Sequence, residues 1–326
     1  MRYKKLGSSG LDVSVLTIGT WAMGGMGYGD VNEKDCIDAI HAMVENGVNH
    51  IDTAWIYGLG RADEVVGKAL KGLDRSKIYI TSKVGFHNPA DGKGPNYPDI
   101  RPEWIRECFE KSLVNLGTDY VDEFLVHFPD HSVDFKDVAD CLHEYQKQGK
   151  IRHLGVSNFA VADIEEMAQY MEVTANQTKL NMIERDEVSN MEWCRDHNIG
   201  IMTHSSLCQG LLTGAIREIP HYAEDDVRSM YGNNFKEPMF SQIQDLLKVM
   251  DEVAANHNAT DAQVAINWNV QKDYVTTSLV GVRNVNEALE NCKATEWELS
   301  DDEMKLLDDA IENCIKEKAV TILGEK

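Results

Sequence analysis

The stretch HIDTAWIYG at residues 50–58 is an apolar run that ends in polar residues. Three later stretches share that pattern, namely IYITSKVG (78–85), VDEFLVHFPD (121–130) and HLGVSNF (153–159). Each has the length and composition of a buried strand with polar side chains near its C-terminal end. The first three supply a carboxylate, a phenol, an amine and an imidazole: Asp52, Tyr57, Lys83 and His127. These groups meet if the strands are parallel and close around one axis, as in an α/β barrel.

Apolar runs of strand length alternate with amphipathic helical stretches along the chain. A short pair of strands at 3–6 and 13–16 predicts an N-terminal β-hairpin across the turn 7–10. The further strand candidates are 16–19, 49–52, 78–83, 121–127, 153–157, 173–177, 200–203 and 276–280. The helical candidates are 32–45, 62–71, 101–116, 134–148, 161–171, 186–197, 241–257 and 260–271, and Asn32 is the expected N-cap of the first. This α/β alternation predicts a (β/α)8 TIM barrel with extra C-terminal helices, and periodicity alone leaves an open doubly wound sheet as the alternative.

Length and composition narrow the class of protein. The 326 residues suit one α/β barrel, so we expect a single domain over 1–326. The formal net charge of −22 argues against nucleic acid or an anionic membrane surface as a partner. We find neither a signal-peptide core nor a run of about 18 apolar residues, and therefore expect no membrane span. Seven scattered cysteines without a CxxC motif predict reduced thiols in the cytoplasm and no zinc site.

The four polar groups at the strand ends suit the reduction of a carbonyl compound. Hydride addition leaves an alkoxide that needs a proton, and a phenol can supply it. A free phenol has a pKa of about 10, and a neighbouring ammonium favours its ionised form. A carboxylate can hold that ammonium, and an imidazole can orient the substrate carbonyl. Taken singly, Lys83 also suits a solvated strand end, and His127 also suits a hydrogen-bonded core histidine.

The sequence motifs DTAWIYG, TSKVG and LVHFPD, in that order, resemble those of the aldo-keto reductase family. The resemblance extends over nearly the whole chain. It implies NAD(P)H-dependent interconversion of an aldehyde or ketone with an alcohol. Carried over to this chain, it implies that Tyr57 is the general acid or base and that Lys83 is its electrostatic partner. It also implies that Asp52 anchors Lys83 and that His127 orients the carbonyl group.

The glycines of 23–30 do not form GxGxxG and nothing matches a P-loop, so neither nucleotide motif is predicted. The family instead binds its dinucleotide across the C-terminal face of the barrel. The resemblance assigns the carboxamide to Ser157, Asn158 and Gln177. The segment SSLCQGLLTG (205–214) lies in a long connection, 205–240, of the kind that binds phosphate in barrels, and it resembles the family's pyrophosphate segment. The expected contacts there are Ser205, Leu207, Gln209 and Gly210.

The segment SLVGVRNVNEALEN (278–291) resembles the family's adenosine segment. Its matching positions are Gly281, Arg283 and Asn291, and Glu287 is a further expected contact that departs from the family. Arg283 can pair a 2′-phosphate bidentately, whereas Glu287, where relatives carry Gln or Arg, would repel it and could accept from a ribose hydroxyl. The pattern predicts NADPH, with NADH as the alternative.

A second departure from the family is His204, which stands where relatives have an aromatic residue, commonly Tyr, stacked on the nicotinamide. Histidine is smaller and can titrate, so we expect altered affinity or orientation of the cofactor. The candidates for the walls of a substrate pocket lie beside the predicted strand ends: Trp21, Met23, Trp55, His87 and Phe128. They suit a flat or apolar carbonyl compound or the face of a sugar, although aromatic residues at strand ends also simply pack against loops.

Two other accounts of the chain stay open at this point. One is a cofactor-occupied regulatory or binding protein with little turnover. The other is a metal-dependent barrel enzyme such as an isomerase, for which Asp52 and His127 would be the candidate ligands. The sequence names neither the substrate nor the direction of the reaction, and it does not address the oligomeric state.

Overall fold

The computed structural model describes residues 1–25, 27, 31–88, 97–223, 226, 228 and 232–319. An N-terminal antiparallel hairpin consists of β1 (Tyr3–Lys5) and β2 (Asp12–Ser14). The strands that follow are β3 (Leu16–Gly19), β4 (His50–Asp52), β5 (Tyr79–Val84), β6 (Phe86–His87), β7 (Tyr97–Pro98), β8 (Val121–Val126), β9 (Ile151–Ser157), β10 (Ala175–Lys179), β11 (Gly200–His204) and β12 (Thr277–Gly281).

Eight of these strands form a closed parallel barrel. Strands β3, β4, β5 and β8 to β12 pair in chain order, and β12 returns to pair with β3 through Val280 and Ile18. That closing pair excludes the open doubly wound sheet and confirms the (β/α)8 barrel. Strands β6 and β7 form a separate antiparallel pair after β5.

The described residues form ten α-helices, most of which surround the barrel. They are α1 (Glu33–Glu45), α2 (Arg61–Leu70), α3 (Pro102–Leu116), α4 (Phe135–Lys147), α5 (Val161–Met167), α6 (Val188–Asp196), α7 (Met239–His257), α8 (Asp261–Val270), α9 (Val285–Lys293) and α10 (Asp301–Cys314). Asn32, the predicted N-cap of α1, accepts a hydrogen bond from the backbone N–H of Asp35. Helix α10 follows the last strand and packs against α7, as expected for an extra C-terminal helix. No helix in the described ranges is both long and apolar enough to cross a membrane.

The hairpin closes the N-terminal end of the barrel. Its fully buried Leu6 belongs to a small apolar cluster with Leu125, Ala175 and Met202 from β8, β10 and β11. A side chain at Gly7 would place its Cβ 2.2 Å from the Thr174 carbonyl oxygen, so only glycine fits this close approach. A larger apolar cluster fills the space between strands and helices. The polar strand ends therefore collect at the opposite, C-terminal end of the barrel.

Several element boundaries differ from the sequence-based expectation. The strand expected at 173–177 runs over Ala175–Lys179, because the polar side chains of Asn176 and Gln177 find partners inside the protein and do not end the strand. The helix expected at 161–171 already ends at Met167. The β6–β7 pair was not expected, and its two-residue strands are too short for a periodic signal. The glycine-containing stretch 23–30 and the long connection 205–240 lie partly outside the described residues.

Candidate active site

The C-terminal ends of β4 and β5 place a carboxylate against an amine in the barrel interior. Asp52 ends β4 and Lys83 is the fifth residue of β5, with side chains 1% and 0% exposed. Lys83 Nζ donates to Asp52 Oδ1 at 2.7 Å, to Asp52 Oδ2 at 2.6 Å and to the Thr53 carbonyl oxygen at 3.0 Å. Asp52 therefore holds the amine of Lys83, as the resemblance implies, and both of its oxygens are engaged.

The phenol and the imidazole lie beside this pair. Lys83 Nζ is 5.0 Å from the centroid of the Tyr57 ring. The ring of His127, directly after β8, meets the Tyr57 ring edge-on at 6.0 Å between centroids. The fold thus brings together all four side chains that the sequence singles out. At this distance the charge on Lys83 is near enough to interact electrostatically with the phenol.

Burial controls the protonation of this cluster. It lowers the pKa of Lys83 below its usual range, while the carboxylates of Asp52 and Asp63 act in the opposite direction. The pKa of His127 lies well below its usual value because the ring is buried and Lys83 and His204 are nearby. His127 is therefore a neutral imidazole near pH 7. Its Nδ1 is buried and has no hydrogen-bond partner among the described residues, so Nε2 is the ring nitrogen that a substrate oxygen can reach.

A chain of polar contacts extends from the cluster along β9, β10 and β11. Gln177 Nε2 donates to Asp52 Oδ1 at 2.7 Å, and Ser157 Oγ donates to the Gln177 carbonyl oxygen at 2.9 Å. The side-chain amide of Asn158 donates to the Ser157 hydroxyl and to the His127 carbonyl oxygen. His204 completes the chain, with Nε2 3.2 Å from Asn158 Oδ1. The three residues expected at the carboxamide are thus contiguous with the acid–base cluster.

His204 is partly buried, and its desolvation together with the nearby charges of Lys179 and Lys83 lowers its pKa to about 3. The ring is therefore neutral and carries one N–H. Because Asn158 presents its oxygen to Nε2, that N–H lies on Nε2, and Nδ1 can accept from the Ser205 hydroxyl at 3.1 Å. The residue that replaces the family's aromatic ring thus orients Asn158 by a hydrogen bond.

The segment after β11 turns tightly and contains several residues in the left-handed region. Ser205, Cys208, Gln209 and Gly210 all have positive φ, between 46° and 95°. The N–H groups of Cys208 and Gly210 donate to the carbonyl oxygens of Ser205 and Leu207. Gln209 Oε1 is buried and has no hydrogen-bond partner among the described residues. Together with the neutral amides and hydroxyls beside Asn158, these polar groups suit a nicotinamide dinucleotide.

At the expected adenosine end, Arg283 and Glu287 bind each other. Arg283 Nη2 lies 3.0 Å from Glu287 Oε1, and the Arg283 backbone N–H donates to Glu287 Oε2 at 2.8 Å. Both side chains are partly exposed, at 47% and 32%. Asn291 extends its side-chain amide to the carbonyl oxygen of Gly281, 3.5 Å away. The arginine that could pair a 2′-phosphate is thus already paired with a carboxylate.

The five expected pocket residues separate into two groups. Trp21 stacks beside Tyr57 at 6.2 Å between centroids, and Phe128 lies 5.5 Å from His127. The other three have their described contacts elsewhere: Met23 is in the apolar core, the Trp55 ring lies under Lys111 of α3, and His87 is stacked between Tyr97 and Trp104. Sequence reasoning missed Phe86, whose ring meets His127 at 5.2 Å. Its position directly after TSKVG was the available signal.

Comparison with known proteins identifies the family. The model of the aldo/keto reductase family matches residues 15–312, and this chain belongs to that family. The aldo-keto reductase YhdN of Bacillus subtilis is 30% identical over 321 residues, covering 97% of this chain and 96% of that protein. The NADH-specific methylglyoxal reductase of Escherichia coli K12 is 32% identical over 320 residues, covering 94% and 97%. The solved structure of a glycerol dehydrogenase from Gluconobacter oxydans superposes with a TM-score of 0.86 at 28% identity, covering 97% and 96%.

Proposed function

We propose that this chain is a single-domain NAD(P)H-dependent reductase of aldehydes or ketones, able to run in reverse as an alcohol dehydrogenase. The observation that carries the proposal is the buried Lys83 ammonium, held by both oxygens of Asp52 and lying 5.0 Å from the Tyr57 ring. A charge placed beside a phenol serves a proton-transfer role that a merely structural ion pair does not need.

In the proposed mechanism His127 donates its Nε2–H to the substrate carbonyl oxygen, which orients and polarises the carbonyl group. A nicotinamide cofactor, when bound, would supply the hydride. Tyr57 then gives its proton to the alkoxide oxygen, and the positive charge of Lys83 stabilises the phenolate that remains. Asp52 keeps Lys83 in place, and the rings of Trp21, Phe86 and Phe128 exclude water from the reacting oxygen. In the oxidative direction Tyr57 accepts the proton.

Ser157, Asn158 and Gln177 would hold the carboxamide, with His204 fixing the amide of Asn158. The left-handed segment that includes Ser205, Leu207, Gln209 and Gly210 would hold the pyrophosphate. Gly281, Arg283, Glu287 and Asn291 would hold the adenosine end. The expected cofactor is NADPH, and its 2′-phosphate must draw Arg283 away from Glu287, whereas NADH leaves that pair intact. The Arg283–Glu287 pair therefore sets the balance between the two cofactors.

The substrate is proposed to be a small aldehyde, ketone or alcohol. The ring walls around Tyr57 and His127 suit a compact or flat molecule. Two similar proteins are named a methylglyoxal reductase and a glycerol dehydrogenase, so short-chain aldehydes, dicarbonyls and polyols belong in the first panel.

The deciding experiment is fluorescence titration with NADPH and NADH, followed by turnover of the carbonyl panel by wild type and Tyr57→Phe. We expect nucleotide binding by both proteins and a loss of turnover of at least about 100-fold in Y57F. Tyr170→Phe, at an exposed position after α5, is the matched control and should turn over like wild type. Binding without turnover by wild type would favour the regulatory account, and turnover that survives in Y57F would remove Tyr57 from its role.

A further inference from the structure

A second buried carboxyl group, Asp63, faces Lys83 from the far side of Thr53. It is the third residue of α2 and has no exposure to solvent. The Thr53 hydroxyl donates to Asp63 Oδ1 at 2.6 Å, and the Thr53 carbonyl oxygen accepts from Lys83 Nζ at 3.0 Å. One threonine therefore joins Asp63 to the ammonium that also binds Asp52.

The same hydrogen bond closes the loop that carries Tyr57. Thr53 begins this loop directly after β4, and Asp63 lies in the first turn of the helix that follows it. Within the loop, the Tyr57 N–H donates to the Ala54 carbonyl and the Ala62 N–H donates to the Tyr57 carbonyl. The Thr53–Asp63 bond thus ties the two ends of the loop together.

Asp63 differs from an ordinary helix-terminal acid in its surroundings. Its Oδ2 is buried and has no hydrogen-bond partner among the described residues. The groups that face it are the Thr53 hydroxyl, the Ser112 hydroxyl of α3, the Lys83 amine of β5 and, on its own helix, the Glu64 carboxylate. Burial raises the pKa of Asp63 to about 6, against the pull of Thr53, Ser112 and Lys83. It is therefore mostly ionised at pH 7, and Lys83 is the cation that faces it.

We propose that Asp63 is a positioning residue that, through Thr53, fixes the Lys83 amine beside Tyr57 and sustains its positive charge. Lys83 then lies between two carboxylates, one in direct contact and one through a threonine. Both oppose the effect of burial, which favours the neutral amine. The proposal rests on the proposed function in so far as that charge serves the proton transfer of Tyr57.

The test uses the full chain labelled with ¹³Cε-lysine, in which the Lys83 signal is assigned by its absence in Lys83→Met. The titration of that signal is compared between wild type and Asp63→Asn. We expect the pKa of Lys83 to fall by about 0.5 to 1 unit in D63N, because one opposing carboxylate is removed. The alkaline limb of kcat/KM should move to lower pH by the same amount, and Asp63→Glu should restore both.

Glu64→Gln is the matched control, since it removes a charge of the same sign from an exposed neighbouring position on α2. We expect E64Q to titrate like wild type. An unchanged Lys83 titration in D63N, with or without a loss of thermal stability, would overturn the proposal and would mean that Asp63 only stabilises the loop. If D63N does not fold, Thr53→Val removes only the connecting hydroxyl, and we expect a smaller shift in the same direction; no shift would overturn the proposal. The NMR titration needs neither cofactor nor substrate, so its result does not depend on whether the protein is a reductase.

Discussion

Two ion pairs lie at or near strand ends of the same barrel and differ in their exposure to water. Asp52 at the end of β4 and Lys83 in β5 are 1% and 0% exposed and 2.6 Å apart. Arg283 and Glu287, after β12, are 47% and 32% exposed and 3.0 Å apart. The first pair is shut inside the barrel with a third group, Gln177, bound to the carboxylate. The second is local, four residues apart at the start of a helix.

This difference in exposure makes one pair suitable for catalysis and the other suitable for discrimination between cofactors. Removing one partner of a buried pair leaves an uncompensated charge and costs roughly 3–5 kcal/mol. An exposed pair contributes about 0–1 kcal/mol, so its partners can be exchanged for a ligand at little cost. The buried pair therefore suits a permanent catalytic charge, and the exposed pair suits discrimination between two cofactors.

Replacing the basic residue of each pair by methionine tests the difference between the two pairs most directly. We expect Lys83→Met to lower the free energy of unfolding by about 3–5 kcal/mol and Arg283→Met to lower it by less than about 1 kcal/mol. Turnover should be lost in K83M and kept in R283M. Urea denaturation and a carbonyl assay measure the two effects.

The double variant Asp52→Asn with Lys83→Met serves as the control for the first prediction. It removes both charges, so it should recover stability relative to K83M without recovering turnover. Equal losses of stability in K83M and R283M would contradict the distinction between the two pairs.

Glu123 is a buried acid without a salt-bridge cation in the part of the chain that the structure describes. It lies in β8, is fully buried, accepts from the Thr174 hydroxyl through Oε1 and has no described partner for Oε2. Burial raises its pKa from 4.5 to about 8. The stability that protonated Glu123 confers on the folded protein is fully present below pH 4.5, where the group is protonated in the unfolded chain as well. This stability is lost as the pH rises toward 8. The free energy of unfolding of wild type should therefore fall by roughly 3 kcal/mol as the pH rises, and we expect Glu123→Gln to remove this fall.

Thermal unfolding of wild type and E123Q between pH 5 and about 8 measures this difference. Glu172→Gln, at an exposed position nearby, controls for the loss of one negative charge and should follow wild type. Parallel stability curves for wild type and E123Q would show that Glu123 does not stay protonated in the folded protein.

The smallest effect is expected at the exposed pair. Glu287→Gln frees Arg283 from its carboxylate, so the affinity for NADPH relative to NADH should rise about 5-fold. Fluorescence titration of both cofactors measures the ratio, and Glu296→Gln, which has an exposed side chain after α9, is the control. A ratio unchanged from wild type would mean that Glu287 does not govern the choice of cofactor.

Much of the barrel could be predicted from the sequence, because strand runs and helix caps are local signals. The alternation of elements, the N-cap at Asn32 and the positions of Asp52, Tyr57, Lys83 and His127 at strand ends all follow from residue order. The end of β10 could not be predicted, since Gln177 looks like a strand terminator until its contact with Asp52 is known. The places of Trp55 and His87 also depend on α3 and β7, which lie far from them in sequence.

By itself, the sequence determined which residue types stand at the strand ends and in which order, since these properties need only the spacing of apolar and polar residues. The tertiary structure was needed to show which of these residues are in contact. The engagement of both Asp52 oxygens by Lys83, the bridge from Thr53 to Asp63 and the pairing of Arg283 with Glu287 became known only from the packed chain. The physical reason is strand register and side-chain packing: a slip of one residue turns every side chain of a strand to its other face, so contacts across the barrel exist only once all eight strands have closed.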